Sequence, residues 1–387
     1  MADKHPDIVI IGAGIAGLWS FHRLKALGYD VLLLEKNAIG SGQTIASQGI
    51  IHSGLKYSLA GKVNKLARNI SAMPDRWLAA LHGEGEVNLT AARLNADSHS
   101  LLIPAGFMGA MVKLITSKTL GQNIENLPAS AWPEDFRESG FIGNVIKMGE
   151  PVFDIPSVIR ALAGPYINCI RKIDKSPEAF LKEHGIKPKK IIYTAAASNH
   201  DYAHQYHHDQ GLKTQKRPLL MGFLKPAPFP LYAHFVSRSD KPLATITTHY
   251  TEDGTPVWYI GGQAAEREKT VPPEETIRTT KKAMEKYLPN VDLSSVQWAT
   301  LPIDRIEGSS TTQGWMPDTP TIHDAGDSYY CWPTKLTFAP LLSDYILEKL
   351  EKEKISPSHQ QCDWSFLPEV GYTKSPWDEV NFSPHSD

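Results

Sequence analysis

Cysteine is scarce. Cys169, Cys331 and Cys362 are the only three in 387 residues, they lie far apart, and none forms a CxxC pair, so a disulfide scaffold and a Cys-rich zinc site are both disfavoured. An excess of charge of one sign is also lacking. Forty Lys and Arg stand against 42 Asp and Glu for a formal net charge of −2, and without a concentrated basic surplus no nucleic-acid partner is expected. Long hydrophobic runs are missing too: the apolar stretch from Ile8 to Trp19 is broken by glycines and falls short of the roughly 18 residues that a membrane span needs. The expected location is the cytoplasm. Peripheral contact with the inner membrane stays open, although no strongly basic amphipathic helix argues for it. An apolar fraction of 41% speaks against disorder, and the length exceeds the size at which one core keeps growing, so two lobes are expected.

What is present starts with a β-branched run, Asp7-Ile8-Val9-Ile10-Ile11, followed at once by Gly12-Ala13-Gly14-Ile15-Ala16-Gly17. Leu18, Phe21, Leu24 and Leu27 then recur at helical spacing, Gly28 is a natural C-cap, and a second apolar run, Val31 to Leu34, ends in Glu35-Lys36. Strand, turn, helix and strand in this order predict a βαβ unit. Gly12 would allow the tight turn, Gly14 the approach of a pyrophosphate and Gly17 close helix packing, with the helix N-terminus favouring negative charge. Glu35 stands near the ~20-residue spacing at which a carboxylate accepts the hydroxyls of an adenosine ribose, and its charge repels a 2′-phosphate, which disfavours NADP. The loop that follows, from Ile39 to Tyr57, is rich in small residues. Its Gly42, Thr44, Ser47, Gln48, Gly49 and Ile51 offer backbone N–H groups and hydroxyls to phosphates and to a flat ring.

Farther along, Lys190 to Thr194 reads as a strand running into Ala195-Ala196-Ala197-Ser198, and Ser157 to Ala163 as a helix. Strand-like segments alternate with turns from Leu219 to Gln263. Ala244 to His249 and Val257 to Ile260, joined through Asp253-Gly254, predict a hairpin in an antiparallel sheet. Two more helices are expected, over 273–288 and from Pro340 to Leu350. The tail after Lys354, rich in Pro, Ser and Trp, is expected to run irregularly over the surface.

Gly12-x-Gly14-x-x-Gly17 and Glu35, taken with Ser47-x-Gly49-x-x-His52-x-Gly54-Leu55-Lys56-Tyr57, resemble the D-amino-acid-oxidase (DAO) superfamily of FAD enzymes. Within it, the stretch around His52 is most similar to FAD-dependent glycerol-3-phosphate dehydrogenases and L-2-hydroxyglutarate dehydrogenases. Trp315-Met316-Pro317-Asp318-Thr319-Pro320 resembles the family's Arg-Pro-x-x-Pro-Asp region, Pro333-Thr334-Lys335-Leu336-Thr337 its Gly-Gly-Lys-Leu-Thr, and Thr194-Ala195-Ala196-Ala197 its Ala-Ala-Gly strand end beside the FAD. Departures are Pro333-Thr334 and Ala197 in place of glycines and Met316 in place of an arginine. The resemblance implies an α/β fold: a Rossmann-like FAD-binding domain from 1–75, 151–210 and 306–355, and an antiparallel-sheet, α+β substrate domain from 76–150 and 211–305, with 356–387 as the tail.

It also implies a reaction, in which flavin N5 takes a hydride from a carbon bearing OH or NH. A hydroxyl donor needs a base as well, and His52 stands at the place for one; the alternative is a histidine that only packs or bonds to the loop. Lys56 and Tyr57 would bind an acidic substrate, or else be a surface lysine and a packed tyrosine. Lys335, with Leu336 and Thr337 at the turn before a helix, would face the negative charge of reduced flavin. Arg305 would hold a substrate carboxylate or pair with Asp304 or Glu307. His200, Tyr202, His204, His207 and His208 form a dense cluster that is expected to supply surface or interface residues rather than a ligand set, so no metal is expected. The leading expectation is an FAD-dependent dehydrogenase or oxidase of a small, anionic hydroxy acid or polyol derivative. The alternatives are an amine or amino-acid oxidase and a non-catalytic flavin-binding or electron-relay protein. The electron acceptor, whether oxygen, quinone or a protein, is not legible.

Overall fold

Ile8–Ile11 and Val31–Glu35 hold no polar residue before Glu35, and every residue of both is buried, as in strands covered on two faces within a parallel sheet. They are β1 and β2 of a six-stranded sheet with β8 (Ile170–Lys172), β9 (Lys190–Tyr193), β15 (Thr321–Asp324) and β16 (Ser328–Trp332), in the order β15-β16-β9-β1-β2-β8. Only the edge pair β15–β16 is antiparallel. The computed structural model describes residues 3–54, 69–106, 124–207, 214–237, 242–266, 271–308, 319–333 and 335–384. The helix Ile15–Ala26 crosses between β1 and β2 and packs on the helices Ile155–Ala163 and Ala339–Lys352. It begins before Leu18, where the apolar spacing starts, because the glycine turn itself supplies its first residues.

The second sheet has nine strands. It contains β4 (His99–Pro104), β5 (Ile124–Leu127), β6 (Gly143–Met148), β10 (Thr214–Lys225), β11 (Ala233–Phe235), β12 (Ala244–Tyr250), β13 (Pro256–Gly261), β14 (Gln297–Gly308) and β17 (Ser383–Pro384). Their order is β17-β14-β10-β13-β12-β11-β4-β6-β5. The β12–β13 hairpin turns through Asp253-Gly254 as its turn residues predict. The sheet is not purely antiparallel: β11 and β4 run parallel, since the chain returns to β4 only after a long excursion. β3 (Leu94–Ala96) and β7 (Val152–Phe153) pair separately.

Trp19, Phe21, Trp77 and Phe338 belong to a core on one face of the six-stranded sheet. Leu224, Phe235, Trp258 and Trp298 belong to another, on the nine-stranded sheet, which the helix Pro273–Tyr287 covers. The tail corrects its expected surface course. It is largely irregular, yet Trp364 and Leu367 are buried behind the first sheet, Trp377 is buried against the second, and Ser383–Pro384 adds a strand to β14. Among the described residues no helix is long and apolar enough to cross a membrane.

Candidate active site

β1 delivers Gly12, at φ +106, into the turn that opens the helix Ile15–Ala26, whose N-cap Gly14 contributes no side-chain cap. A Cβ on Gly17 would stand 2.0 Å from the Gly12 carbonyl oxygen, so glycine is required for this closure. At the end of β2, Glu35 is buried and its two oxygens accept the N–H groups of Ala13 and Asn37, each at 2.7 Å. Each oxygen retains a second lone pair for a ribose hydroxyl. Lys36 is exposed. From β9, the Thr194 hydroxyl donates to the Gly12 carbonyl at 2.8 Å, the Asn199 carboxamide accepts the Ala195 N–H, and Ala196 takes the left-handed φ of +49. The strand end thus lies directly against the glycine turn.

The loop after Ile39 ties this unit to the nine-stranded sheet. Thr44 Oγ1 accepts the Ile15 N–H at 2.8 Å. Gln43 Oε1 accepts the Ile306 N–H, the Tyr259 hydroxyl donates to the Ala46 carbonyl, and the Gln48 amide donates to the carbonyls of Thr245 and Tyr259. The Gln48 side chain is therefore engaged by the sheet. The Gly49 carbonyl accepts the Phe153 N–H, Ile51 is buried, and Gly42 is exposed. Ser47 Oγ is buried with no hydrogen-bond partner among the described residues, a hydroxyl that a polar ligand would satisfy. Helix amides for a pyrophosphate, a buried carboxylate for a ribose and an orphaned hydroxyl in the loop between them fit a dinucleotide.

Past this loop the chain brings His52 to the start of the helix Ala339–Lys352. Thr337 Oγ1 accepts the His52 N–H at 3.2 Å, and the Thr337 carbonyl accepts the Trp77 indole N–H. Half-buried Lys335 and Leu336 form the turn just before. The His52 ring meets Glu150, which lies between β6 and β7. Nδ1 is 3.2 Å from Glu150 Oε2, while Oε1 accepts the N–H of Ser53 at 2.9 Å and its hydroxyl at 2.8 Å. The Glu150 side chain is only 3% exposed. Burial works to raise its pKa, but the His52 hydrogen bond, the charges of His52 and His99 and the Ser53 N–H hold it at about 2. His234 of β11 stacks on His52 with centroids 5.7 Å apart, and His99 of the neighbouring β4 lies 4.2 Å from His234. His52, Glu150 and His234 each present an atom within 4.8 Å of the others. Sequence reasoning found His52 alone. Its partners come from three separate segments without a shared motif, and the available clue was a histidine amid apolar strand residues, as in Ala233-His234-Phe235.

The other expected residues are distributed differently. Arg305 of β14 donates to Glu307 Oε1 at 2.9 Å, and Arg217, opposite it on β10, binds the same oxygen at 3.0 Å. Asp304 pairs with Lys216 instead. Strands β10, β13 and β12 separate β14 from β11, roughly 19 Å at ~4.8 Å per strand, so Arg305 and His52 stand over different parts of the sheet. Sequence reasoning did not single out Arg217, which becomes visible only through strand register. On the helix Ser198–His207, His200 and His204 are exposed, while Tyr202 and Tyr206 stack on each other and lie against Tyr193. Lys56, Tyr57, His208, Trp315 to Asp318 and Thr334 lie outside the described residues.

Residues 7–101, which include the glycine turn, Glu35 and His52, match the family model described as FAD dependent oxidoreductase (DAO). A relative from Pseudomonas aeruginosa, named a probable FAD-dependent oxidoreductase (PA4991), is 36% identical, with 97% of this chain and 98% of that protein covered. Its crystal structure superposes with a TM-score of 0.83 at 31% identity, covering 98% of this chain and 99% of that one. The fold recurs in glycine oxidase from Geobacillus kaustophilus (TM-score 0.66, 13% identity, 92% and 99% covered). It recurs again in L-alpha-glycerophosphate oxidase from Mycoplasma pneumoniae with FAD bound (TM-score 0.64, 16% identity, 90% and 95% covered). The chain belongs to the DAO family of FAD-dependent oxidoreductases and is an enzyme whose cofactor is FAD.

Proposed function

We propose that this oxidoreductase takes a hydride from a CH–OH carbon of a small anionic substrate, a hydroxy acid or polyol derivative, and that His52 takes the hydroxyl proton. The observation that carries this reading is the His52 imidazole set against the ionised, buried Glu150 beside the Thr337 turn. An alcohol has to lose its hydroxyl proton as the hydride leaves, and an imidazole beside a carboxylate suits that task. FAD, when bound, supplies the hydride acceptor at its N5.

The residues divide the remaining work. Gly12 to Gly17 and Glu35 hold the dinucleotide, with Thr44, Ser47 and the Ala195-Ala196 strand end around it. Lys335 and the helix N-terminus after Thr337 stabilise negative charge on the reduced ring. Arg217 and Arg305 both bind the carboxylate of Glu307, over a part of the sheet away from His52. The Lys335-Leu336-Thr337 turn and the Ile51-His52 stretch support a place nearest the glycerol-3-phosphate and L-2-hydroxyglutarate dehydrogenases. Anaerobic mixing with a panel of hydroxy acids, polyol phosphates, amino acids and amines tests the reading through the flavin absorbance. Bleaching by hydroxyl donors is the expected result. Bleaching by amines alone would instead make this an amine oxidase, and no bleaching by any donor would leave a flavin-binding protein without turnover.

A further inference from the structure

A base that receives a proton during hydride transfer must keep one ring nitrogen available and then accommodate the charge it acquires. We propose that Glu150 is the positioning residue that gives His52 both properties, an inference that rests on the reading of His52 as the base. Glu150 Oε2 accepts the Nδ1–H of His52, which makes Nε2 the nitrogen carrying the lone pair in the neutral ring. The carboxylate is itself fixed, because Oε1 receives both the N–H and the hydroxyl of Ser53. Rotating it away would break both of those bonds.

Charge completes the case. Among the described residues, imidazoles face this pair, His234 from β11 and His99 from β4 behind it, and Lys335 lies two residues before Thr337. When the substrate C–H pair leaves for the flavin, the O–H bond breaks, the carbonyl forms and the proton binds Nε2 of His52. The pair, its carboxylate buried and its imidazole partly exposed, then becomes carboxylate and imidazolium, neutral in sum. Without Glu150 the same step would leave the cation on His52 with no contacting opposite charge to stabilise it.

The test uses holoenzyme with histidine rings labelled with carbon-13, in which the His52 resonance is the one lost in His52→Asn. In Glu150→Gln its titration midpoint should fall by roughly one pH unit or more, the effect of removing a contacting opposite charge, while Glu150→Asp should restore most of it. Flavin reduction by a donor that bleaches the wild type should slow about tenfold or more in Glu150→Gln, with KM little changed and the acid limb of the rate profile moved in the same direction as the midpoint. Ser53→Ala, which frees the carboxylate without removing it, should shift both readouts the same way by less, and it serves if Glu150→Gln does not retain FAD. An unchanged His52 midpoint in these variants overturns the role of Glu150 alone. Full-rate flavin reduction by His52→Asn removes the base reading, and the positioning role falls with it.

Discussion

His249 shows how a single buried residue governs the acid response of the fold. It is 1% exposed on β12, shares a hydrogen bond with Thr247 at 2.9 Å, and stacks on Trp377 with ring centroids 4.1 Å apart. Burial pushes its pKa down to about 3 from 6.5. The unfolded chain therefore takes up this proton near pH 6.5 while the folded chain resists it, so stability is complete above 6.5 and is lost as pH falls toward 3. His22, also lowered by burial, acts in the same direction. Glu150 adds a second loss only below its ordinary 4.5, as pH falls toward 2. Urea midpoints should thus decline from pH 6.5 to 4.5, and His249→Gln should flatten that decline; an equally steep decline in the variant would assign the effect elsewhere. His249 drew no attention in the sequence, because Thr247-Thr248-His249 reads as a polar strand end and Trp377, which stacks on it, lies far along the chain.

Among the elements, the βαβ unit was readable almost to the residue, since turn, helix start and acidic strand end are contiguous and each depends on its neighbours. The turn at Lys335 was readable through its likeness to Gly-Gly-Lys-Leu-Thr, even with Pro333 and Thr334 in place of the glycines. The helix Ala339–Lys352 begins directly after Leu336–Phe338, so its N-terminal amides and the Lys335 charge act at one end of the same element. Replacing Lys335 by Ala should leave FAD affinity close to wild type and slow flavin reduction roughly a hundredfold, the scale of one oxyanion donor. Stopped-flow reduction beside equilibrium FAD titration separates the two effects, and an unchanged rate would take Lys335 out of the chemistry. The loop at Gln48 was less readable. A Gly- and Ser-rich stretch suggests contact with phosphates, yet its glutamine side chain lies in the second sheet, bonded to Thr245 and Tyr259.

For the whole molecule, the six-stranded and nine-stranded sheets meet across that loop, and the tail secures both. Trp364 is buried with the first sheet and Trp377 with the second. Truncating Trp377 to Ala should cost about 3–5 kcal/mol of unfolding free energy and open the stacked face of His249; a loss below about 1 kcal/mol in urea unfolding would show the tail to be dispensable. By itself the sequence determined the cofactor class and a glycine turn suited to it, because a pyrophosphate is bound by consecutive amides and glycines that short-range rules describe. Tertiary structure decided the company His52 keeps. Glu150 reaches it from between β6 and β7 and His234 from β11, with His99 of the neighbouring β4 behind, and no local period in the chain encodes contacts of that range. Arg217 met Arg305 for the same reason, through a register that pairs strands almost ninety positions apart.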